Sequence, residues 1–347
     1  MAGFPGLRRT EARTLPERLG TFVEVASNNA CNLSCVYCYG LGHPPPMRMT
    51  ETGYAGLLDE LLPRASILVP SAGSEPFSAH LDIATRKVVE HGRRMLLITN
   101  GTFPMASTVQ TLGKHLYRLQ VSVDSHLEET YERMRPGAKF RNVLANLREA
   151  IGVLRGMDLL HRLVVSIVLT RDTAHSVAGT IRFFRKEGVE AFLVQELYRF
   201  DPRLDAYQPD RTSIEQVRSQ CPAVARETLS DILFAHPPVQ RFNGRAETAP
   251  PVEWDPENIR ARMAEKPGQC WQAWEWLKIH PGGNVHPCCV APPELELGNL
   301  SRKTLAEILA GGGRERLQAA FENGNPPSVC RTCPLLGQIA RPLEVVT

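Results

Sequence analysis

The chain has 347 residues, enough for one large domain and a smaller one, and 43% of them are hydrophobic, which suffices for a buried core. Its 40 Lys and Arg against 37 Asp and Glu leave a net charge of +3 without long basic runs, which argues against a nucleic-acid-binding stripe. The N-terminal segment lacks the apolar run of an export signal and no apolar stretch reaches the length of a membrane span, so we expect a cytoplasmic protein that binds neither nucleic acid nor membrane.

Strand and helix patterns alternate from Thr21 to about residue 200. Strands are predicted in FVEVAS, ILVPS, MLLITN, RLQVSVDS, LVVSIVLT and AFLVQELY, and helices near residues 51–62, 81–90, 108–115, 140–154 and 176–187. Six strands with helical crossovers predict a parallel sheet whose outer face is covered by helices.

The pattern weakens after residue 200. Residues 201–266 are rich in proline and are predicted to form a connector, with a helix near 221–233. Residues 267–347 are rich in Cys, Gly and Pro, with one clear helix in LAEILA and too little apolar material for an independent core. We therefore expect three parts, 1–200, 201–266 and 267–347, the last needing a metal to fold.

Nine cysteines fall into two groups. The number is odd and the chain shows no export signal, so metal binding or catalysis is favoured over a disulfide framework. Three lie within eight residues, five lie in the last eighty, and Cys221 stands alone between them. The distribution predicts two metal sites.

The first group is Cys31, Cys35 and Cys38, in a loop directly after the first strand. Three cysteine ligands leave one iron of a four-iron cluster open, and parallel α/β barrels place their chemistry at the carboxyl ends of the strands. A zinc site with His43 as the fourth ligand is the alternative that spacing alone leaves open.

The pattern C-x3-C-x-aromatic-C, with Tyr37 as the aromatic residue, resembles the radical S-adenosylmethionine (SAM) superfamily. The resemblance covers roughly residues 21–200 and implies a partial (β/α)6 TIM-like barrel. It also implies that Cys31, Cys35 and Cys38 hold a [4Fe-4S] cluster whose open iron binds SAM, which disfavours zinc.

Further motifs on successive strands resemble the SAM-binding elements of that family. Gly73-Ser74-Glu75-Pro76 is similar to the GGE motif, with Ser in place of the second Gly, which binds the methionine amino group. Three more residues follow in order, and the resemblance implies that they too bind the cofactor: Asn100 of ITNG, then Ser122 and Asp124 of VSVDS, the latter two at the ribose and carboxylate.

The resemblance implies that one electron from an external donor such as flavodoxin or ferredoxin enters the cluster, and that SAM then yields methionine and a 5′-deoxyadenosyl radical. That radical takes hydrogen from an unactivated C–H bond. The protein must hold the target carbon in place and exclude water, which an enclosed barrel mouth can do.

The C-terminal cysteines frame a predicted β-hairpin. Cys270 and Cys288 flank a segment that turns at Pro281-Gly282-Gly283, and Cys330-x2-Cys333 follows downstream. Four thiolates so arranged are also typical of a structural zinc site.

This arrangement resembles the SPASM/twitch extension of radical SAM enzymes, through Gly283-x4-Cys288, LGNL and the final Cys-x2-Cys. A full SPASM module carries more cysteines. The twitch version implies one auxiliary [4Fe-4S] cluster with four ligands, Cys270, Cys288, Cys330 and Cys333, and with Cys289 as the alternative to Cys288.

The remaining candidates concern the reaction. Cys221 is either a buried small hydrophobe or the S–H donor of an epimerase. The architecture resembles enzymes of aminoglycoside and aminocyclitol antibiotic biosynthesis, which implies a sugar-like small molecule and either epimerisation or alcohol oxidation. For oxidation the auxiliary cluster would accept an electron, and Glu196 or Arg199 would take the hydroxyl proton; Glu196 is equally a candidate SAM contact or salt-bridge partner.

Two other functions stay open. Peptide-modifying relatives often carry an N-terminal recognition domain, for which the twenty residues before the first strand leave no room, so we favour a small molecule. A non-enzymatic iron–sulfur or zinc-stabilised protein is the other alternative, and it gives no reason for SAM-binding motifs on successive strands.

Overall fold

A computed structural model describes residues 15–38, 45–71, 73–199, 201–235, 240–244, 270–333 and 344–346. Twelve strands are found there: β1 (Gly20–Val25), β2 (Ala65–Val69), β3 (Arg94–Thr99), β4 (Leu116–Ser122), β5 (Leu163–Leu169), β6 (Ala191–Glu196), β7 (Asp231–Ala235), β8 (Gln240–Asn243), β9 (Trp276–Ile279), β10 (Asn284–His286), β11 (Gly298–Asn299) and β12 (Glu344–Val346). They form one sheet in the order β11-β10-β9-β1-β2-β3-β4-β5-β6-β7-β8-β12.

The helices of the described residues lie between these strands and after them. They are α1 (Glu51–Leu61), α2 (Leu81–Glu90), α3 (Ala106–Leu112), α4 (Glu128–Met134), α5 (Phe140–Gly156), α6 (Val177–Glu187), α7 (Arg211–Thr228), α8 (Gln272–Glu275), α9 (Leu305–Ala310), α10 (Gly313–Glu322) and α11 (Ser328–Arg331). Within this part of the chain, none of them is long and apolar enough to cross a membrane.

The predicted partial (β/α)6 barrel is confirmed. Strands β1 to β6 pair in parallel in chain order, and each overlaps its predicted segment. Side chains alternate across the sheet: Val23, Leu68 and Leu97 pack in the main core, whereas Phe22 and Leu96 belong to a smaller cluster on the inner face. Helix α4, which the sequence analysis missed, lies between β4 and α5.

The helix predicted at residues 221–233 is misplaced. Helix α7 begins ten residues earlier, because the Asp210 side chain caps it by accepting a hydrogen bond from the Ser213 amide at 2.7 Å. It ends at Leu229, whose backbone is left-handed with φ 49°. Residues Asp231–Ala235 then form β7, which pairs in parallel with β6, so this stretch of the predicted connector extends the barrel sheet. Residues 245–266 lie outside the described residues.

The predicted C-terminal hairpin is present as β9 and β10, although α8 replaces the start of its first strand. Strand β9 pairs in parallel with β1, and Leu277, Ile279 and Val285 join the main core of the barrel. The segment thus shares the core of the barrel. The sequence analysis missed helix α10, which begins at the end of a run of glycines. This helix follows α9 after Gly312, which adopts φ 69°.

The shared core predicts that removing apolar volume from β9 destabilises the whole barrel. Leu277 is fully buried, so Leu277→Ala should lower the free energy of unfolding by about 2–5 kcal/mol in urea titrations of the reconstituted protein. The matched control is Leu127→Ala, because Leu127 is 40% exposed and its loss should cost little. Equal destabilisation by the two substitutions would contradict the shared core.

Candidate active site

The carboxyl ends of the barrel strands surround a cavity of about 480 Å³, the first cavity. Alternate residues along the strands line it. Ile98 lies on β3 and Asn100 directly after that strand, and Gln120 and Ser122 lie on β4. The three N-terminal cysteines also line it. This is the end of a parallel barrel at which active sites lie.

The cysteine loop is held by the end of α4 and the residues directly after it. The Ser34 amide donates to the Pro136 carbonyl at 3.0 Å, and the Val36 amide donates to the Met134 carbonyl at 3.1 Å. Burial raises the pKa of the Cys35 thiol to about 11, and the nearby Arg135 charge opposes this. The alternative zinc ligand His43 lies outside the described residues.

Glu75 follows β2 in the chain, and its buried carboxylate is fixed by three donors. It accepts hydrogen bonds from the Thr99 hydroxyl at 2.7 Å, the Asn100 amide at 2.8 Å and the Phe77 amide at 3.3 Å. Burial raises the pKa of Glu75, and these hydrogen bonds oppose the rise. A cationic ligand group would stabilise the carboxylate at this position.

Two neighbours of Glu75 complete this side of the cavity. Gly73 has φ 77°, a backbone conformation that favours glycine. The Ser74 hydroxyl oxygen is buried without a hydrogen-bond partner in the described residues, which suits a bound ligand. The side-chain amide of Asn100 donates to the Asn32 side-chain oxygen at 2.9 Å and lies 3.8 Å from the Cys31 sulfur, so it ties this side of the cavity to the cysteine loop.

Asp124 is absent from the lining of the first cavity, and its expected contact with SAM stays a prediction. Asp124 is fully buried behind the first cavity, where its carboxylate accepts hydrogen bonds from the Tyr37 hydroxyl, Arg135 Nε at 2.6 Å, Arg135 Nη2 at 3.1 Å and the Val168 amide at 3.0 Å. With four donors its oxygens are occupied, because a carboxylate offers about four lone-pair sites. Asp124 therefore positions Tyr37 and Arg135, which do line the cavity, as does Ser122.

Arg135 is the cavity residue that the sequence analysis missed. Its guanidinium lies 5.6 Å from the centre of the Tyr37 ring, and Arg135 as a whole is only 6% exposed. The sequence gives no motif for it, since it follows the undetected helix α4. A buried cation beside the SAM-binding motifs can bind a carboxylate.

Several strands contribute polar side chains to the first cavity. Glu24 of β1 and Lys278 of β9 form a buried ion pair of 3.2 Å, and Gln120, Ser166 and Gln195 of β4, β5 and β6 line the same cavity. The predicted candidate Glu196 lines the cavity at the end of β6, together with Tyr198.

A second cavity of about 440 Å³ lies in the C-terminal domain. Four cysteines line it: Cys270, Cys288, Cys330 and Cys333. Burial and, to a lesser degree, the neighbouring thiols raise the pKa of Cys270 to about 12 and that of Cys330 to about 11. Cys289 instead lines the first cavity, so the two adjacent cysteines face different cavities.

Two of the reaction candidates lie away from the first cavity. Cys221 is buried in α7, where its thiol donates to the Val217 carbonyl at 3.3 Å and packs in the main core; burial raises its pKa to about 12. Arg199 lines the second cavity and pairs with Asp205 at 2.5 Å. Neither residue lines the first cavity, and the roles of hydrogen donor for Cys221 and of substrate base for Arg199 stay predictions.

Both cysteine groups surround their cavities and do not converge on a point. In the described ranges, no three Cys, His, Asp or Glu side chains lie close enough together to hold a single metal ion. The grouping of thiols around each space, with the unpartnered Ser74 hydroxyl in the first, fits iron–sulfur clusters and SAM.

Breaking the buried ion pair between Asp124 and Arg135 should destabilise the barrel. In Asp124→Asn the buried Arg135 loses its counter-charge, so we expect the free energy of unfolding to fall by about 3–5 kcal/mol in urea titrations. Glu227→Gln, which breaks the exposed pair with Arg182, is the control and should leave it unchanged within error. A similar effect of both variants would refute the structural role of Asp124.

Comparisons with known proteins agree with these features. A family model for the radical SAM superfamily matches residues 25–184, and a SPASM model, described as an iron–sulfur cluster-binding domain, matches residues 270–334. GTP 3',8-cyclase of Lactiplantibacillus plantarum is 24% identical over 243 residues, which cover 67% of this chain and 68% of the relative.

Solved structures share the fold at low sequence identity. SuiB of Streptococcus suis bound to S-adenosylmethionine aligns with a TM-score of 0.61 and 14% identity over 92% of this chain and 72% of SuiB. The anSMEcpe protein with bound AdoMet aligns with a TM-score of 0.58 and 15% identity over 93% of this chain and 92% of that protein.

The two family models together cover about two thirds of the chain: one extends from the end of β1 into α6, and the other contains the four cysteines that line the second cavity. The two families imply that the barrel binds SAM and a [4Fe-4S] cluster, and that the C-terminal domain binds iron–sulfur. The chain belongs to the radical SAM superfamily and carries a C-terminal SPASM domain.

Proposed function

We propose that this radical SAM enzyme oxidises an alcohol carbon of a small polar molecule, such as a sugar or an aminocyclitol of antibiotic biosynthesis. The observation that carries the proposal is the adjacency of the two cavities. Val290 lines both of them, and the neighbouring Cys288 and Cys289 face one cavity each. A substrate in the first cavity would therefore lie beside the cysteines that bind the second cluster.

The proposed cluster ligands are the cysteines that line each cavity. Cys31, Cys35 and Cys38 hold the [4Fe-4S] cluster of the barrel, and one auxiliary [4Fe-4S] cluster is held by Cys270, Cys288, Cys330 and Cys333. When bound, the barrel cluster and SAM would supply a radical that abstracts hydrogen, and the auxiliary cluster would supply a one-electron redox centre beside it. An external one-electron donor such as flavodoxin or ferredoxin is required.

The protein's own residues bind SAM and exclude water. Glu75 and Ser74 receive the methionine amino group, since one offers a buried carboxylate and the other an unpartnered hydroxyl. Arg135, oriented by Asp124, binds the carboxylate of SAM. Glu196, which lines the first cavity, takes the proton of the substrate hydroxyl.

Epimerisation is a second candidate because a thiol other than Cys221 lies in the first cavity. Cys289 lines it together with the polar side chains of several strands, and an S–H group can donate a hydrogen atom to a substrate radical. Cys289 would then be the S–H hydrogen donor, the role considered for Cys221 in the sequence analysis.

A small substrate is supported by the composition of the wall. Charged, amide and hydroxyl side chains from several strands line the first cavity among apolar ones, and a few such polar groups in an apolar lining are typical of small-molecule sites. Structural neighbours have been solved with peptides, SuiB with the precursor peptide SuiA and anSMEcpe with the Cp18Cys peptide, so peptide modification is the alternative.

The cluster assignment predicts how single cysteine substitutions change iron content. After anaerobic reconstitution, Cys31→Ala and Cys288→Ala should each lose about four irons per chain, because each removes a ligand of one [4Fe-4S] cluster. Cys289→Ala and Cys221→Ala are the matched controls and should retain both clusters. Only Cys31→Ala should also abolish 5′-deoxyadenosine formation from SAM under reduction.

Other patterns would overturn parts of the assignment. Loss of iron in Cys289→Ala with full iron in Cys288→Ala would exchange their roles. Failure of the unmodified protein to form 5′-deoxyadenosine would refute the proposed reaction.

The epimerase candidate predicts a deuterium transfer that needs no substrate. In D2O the Cys289 thiol carries an exchangeable S–D bond in the first cavity, so reduction with SAM alone should yield deuterated 5′-deoxyadenosine, measured by mass spectrometry. Cys289→Ala should remove most of that deuterium, and Cys221→Ala should not, because Cys221 lies outside the cavity. Equal labelling in all three proteins would exclude Cys289 as the donor.

A further inference from the structure

A buried arginine holds the turn that carries Cys270. Arg314 lies near the start of α10 and is 9% exposed. Its Nε donates to the Ala273 carbonyl at 3.0 Å, and its two other nitrogens donate to the carbonyls of Trp274 and Leu19. The Ala273 amide in turn donates to the Cys270 carbonyl at 3.1 Å. One guanidinium thus joins α10, the Cys270 turn and the residue before β1.

The same face of α10 forms part of the second cavity. Leu317 and Phe321, one and two turns after Arg314, line that cavity together with Ala273. Gln318 adds a second donor to the Ala273 carbonyl at 3.0 Å. The Arg314 guanidinium therefore lies directly behind a residue that lines the second cavity.

The charge of Arg314 is not neutralised by a neighbouring carboxylate. Among the described residues it forms no ion pair, and its three hydrogen-bond acceptors are neutral carbonyls. Glu275, the carboxylate of α8, pairs instead with Arg18 at 2.7 Å. Glu315 is exposed, so solvent screens its charge. Burial lowers the pKa of Arg314, but an arginine keeps its proton in proteins, so a positive charge stays buried here.

A buried cation is costly without a nearby anion, and the second cavity is the place for one. A [4Fe-4S] cluster held by four thiolates is anionic, because the thiolates outweigh the charge of the core, and it becomes more negative when it takes up an electron. Net charge is one of the factors that set the potential of such a cluster. A cation behind the cavity lining stabilises the reduced cluster more than the oxidised one, which raises the reduction potential.

We propose that Arg314 raises the reduction potential of the auxiliary cluster and thereby makes this cluster the acceptor of the second electron of the substrate. In the proposed oxidation, one hydrogen atom leaves the alcohol carbon for the 5′-deoxyadenosyl radical. The hydroxyl proton then passes to Glu196, one electron passes to the auxiliary cluster, and the alcohol becomes a carbonyl group. Arg314 lines neither cavity, so it is a positioning residue that acts on the cluster through its charge. The inference rests on the proposed function, because it places a cluster in the second cavity.

The test is a redox titration of the reconstituted holoenzyme, followed by electron paramagnetic resonance. The signal of the barrel cluster is recognised because SAM, which binds the open iron of that cluster, changes it. Arg314→Met should make the auxiliary cluster at least tenfold harder to reduce, a shift of about 59 mV to lower potential for one electron. Arg314→Lys keeps the charge and should retain most of the unmodified potential. Iron content should stay at about eight per chain in both variants.

Two further variants on the same two helices give a control and a shift of opposite sign. Arg316→Met removes an exposed charge from α10 and should leave both potentials unchanged within error. Glu275→Gln removes the buried carboxylate of α8, so it should shift the auxiliary potential upwards. A purely structural role of Arg314 predicts no such opposite shift.

The outcomes separate this inference from the proposed function. An unchanged auxiliary potential in Arg314→Met with full iron content would overturn the role of Arg314, as would equal shifts in Arg314→Met and Arg314→Lys. If Arg314→Met loses the auxiliary iron, Glu275→Gln decides the matter, and an unchanged potential in that variant would overturn the inference. About four irons per chain in the unmodified protein would instead be a failure of the proposed second cluster.

Discussion

The parallel pairing of β9 with β1 is the contact on which the rest of the site depends. It joins residues about 250 positions apart in the chain and aligns Glu24 with Lys278 and Phe22 with Trp276. Because the hairpin buries Leu277 and Ile279 in the barrel core, the pairing is stabilised by apolar burial as well as by hydrogen bonds. A shift of one residue would turn Lys278 out of the cavity.

The interior of the barrel mouth combines two kinds of buried polar group. Asp124 is saturated by its donors and acts as a structural anchor, since it fixes Tyr37 and Arg135 at the cavity. Ser74 keeps a buried hydroxyl without a protein partner. Unmet hydrogen-bonding capacity is costly unless a ligand or water supplies the partner, so the Ser74 hydroxyl is suited to contact a molecule bound in the first cavity.

The barrel strands could be predicted from sequence because each carries its own alternation of apolar residues and each is followed by a helical pattern. Features set by distant contacts could not. Arg135 reaches Asp124 only through the turn after an unrecognised helix, and the start of α7 at Arg211, which buries Cys221, follows from the cap at Asp210. Motif spacing names candidate ligands, but it does not tell which of two adjacent cysteines faces which cavity.

That last distinction follows from backbone geometry after β10. Residues 287–290 form bends, and this change of chain direction between the two cavities presents the neighbouring thiols to different spaces. Cys288 faces the second cavity, Cys289 faces the first, and Lys278 holds the Cys289 carbonyl at 2.6 Å. The residue that fixes this segment is therefore also half of the buried ion pair. Cluster domain, cavity thiol and ion pair are thereby positioned by the same strand, β9, so a change in its pairing with β1 would displace all three together.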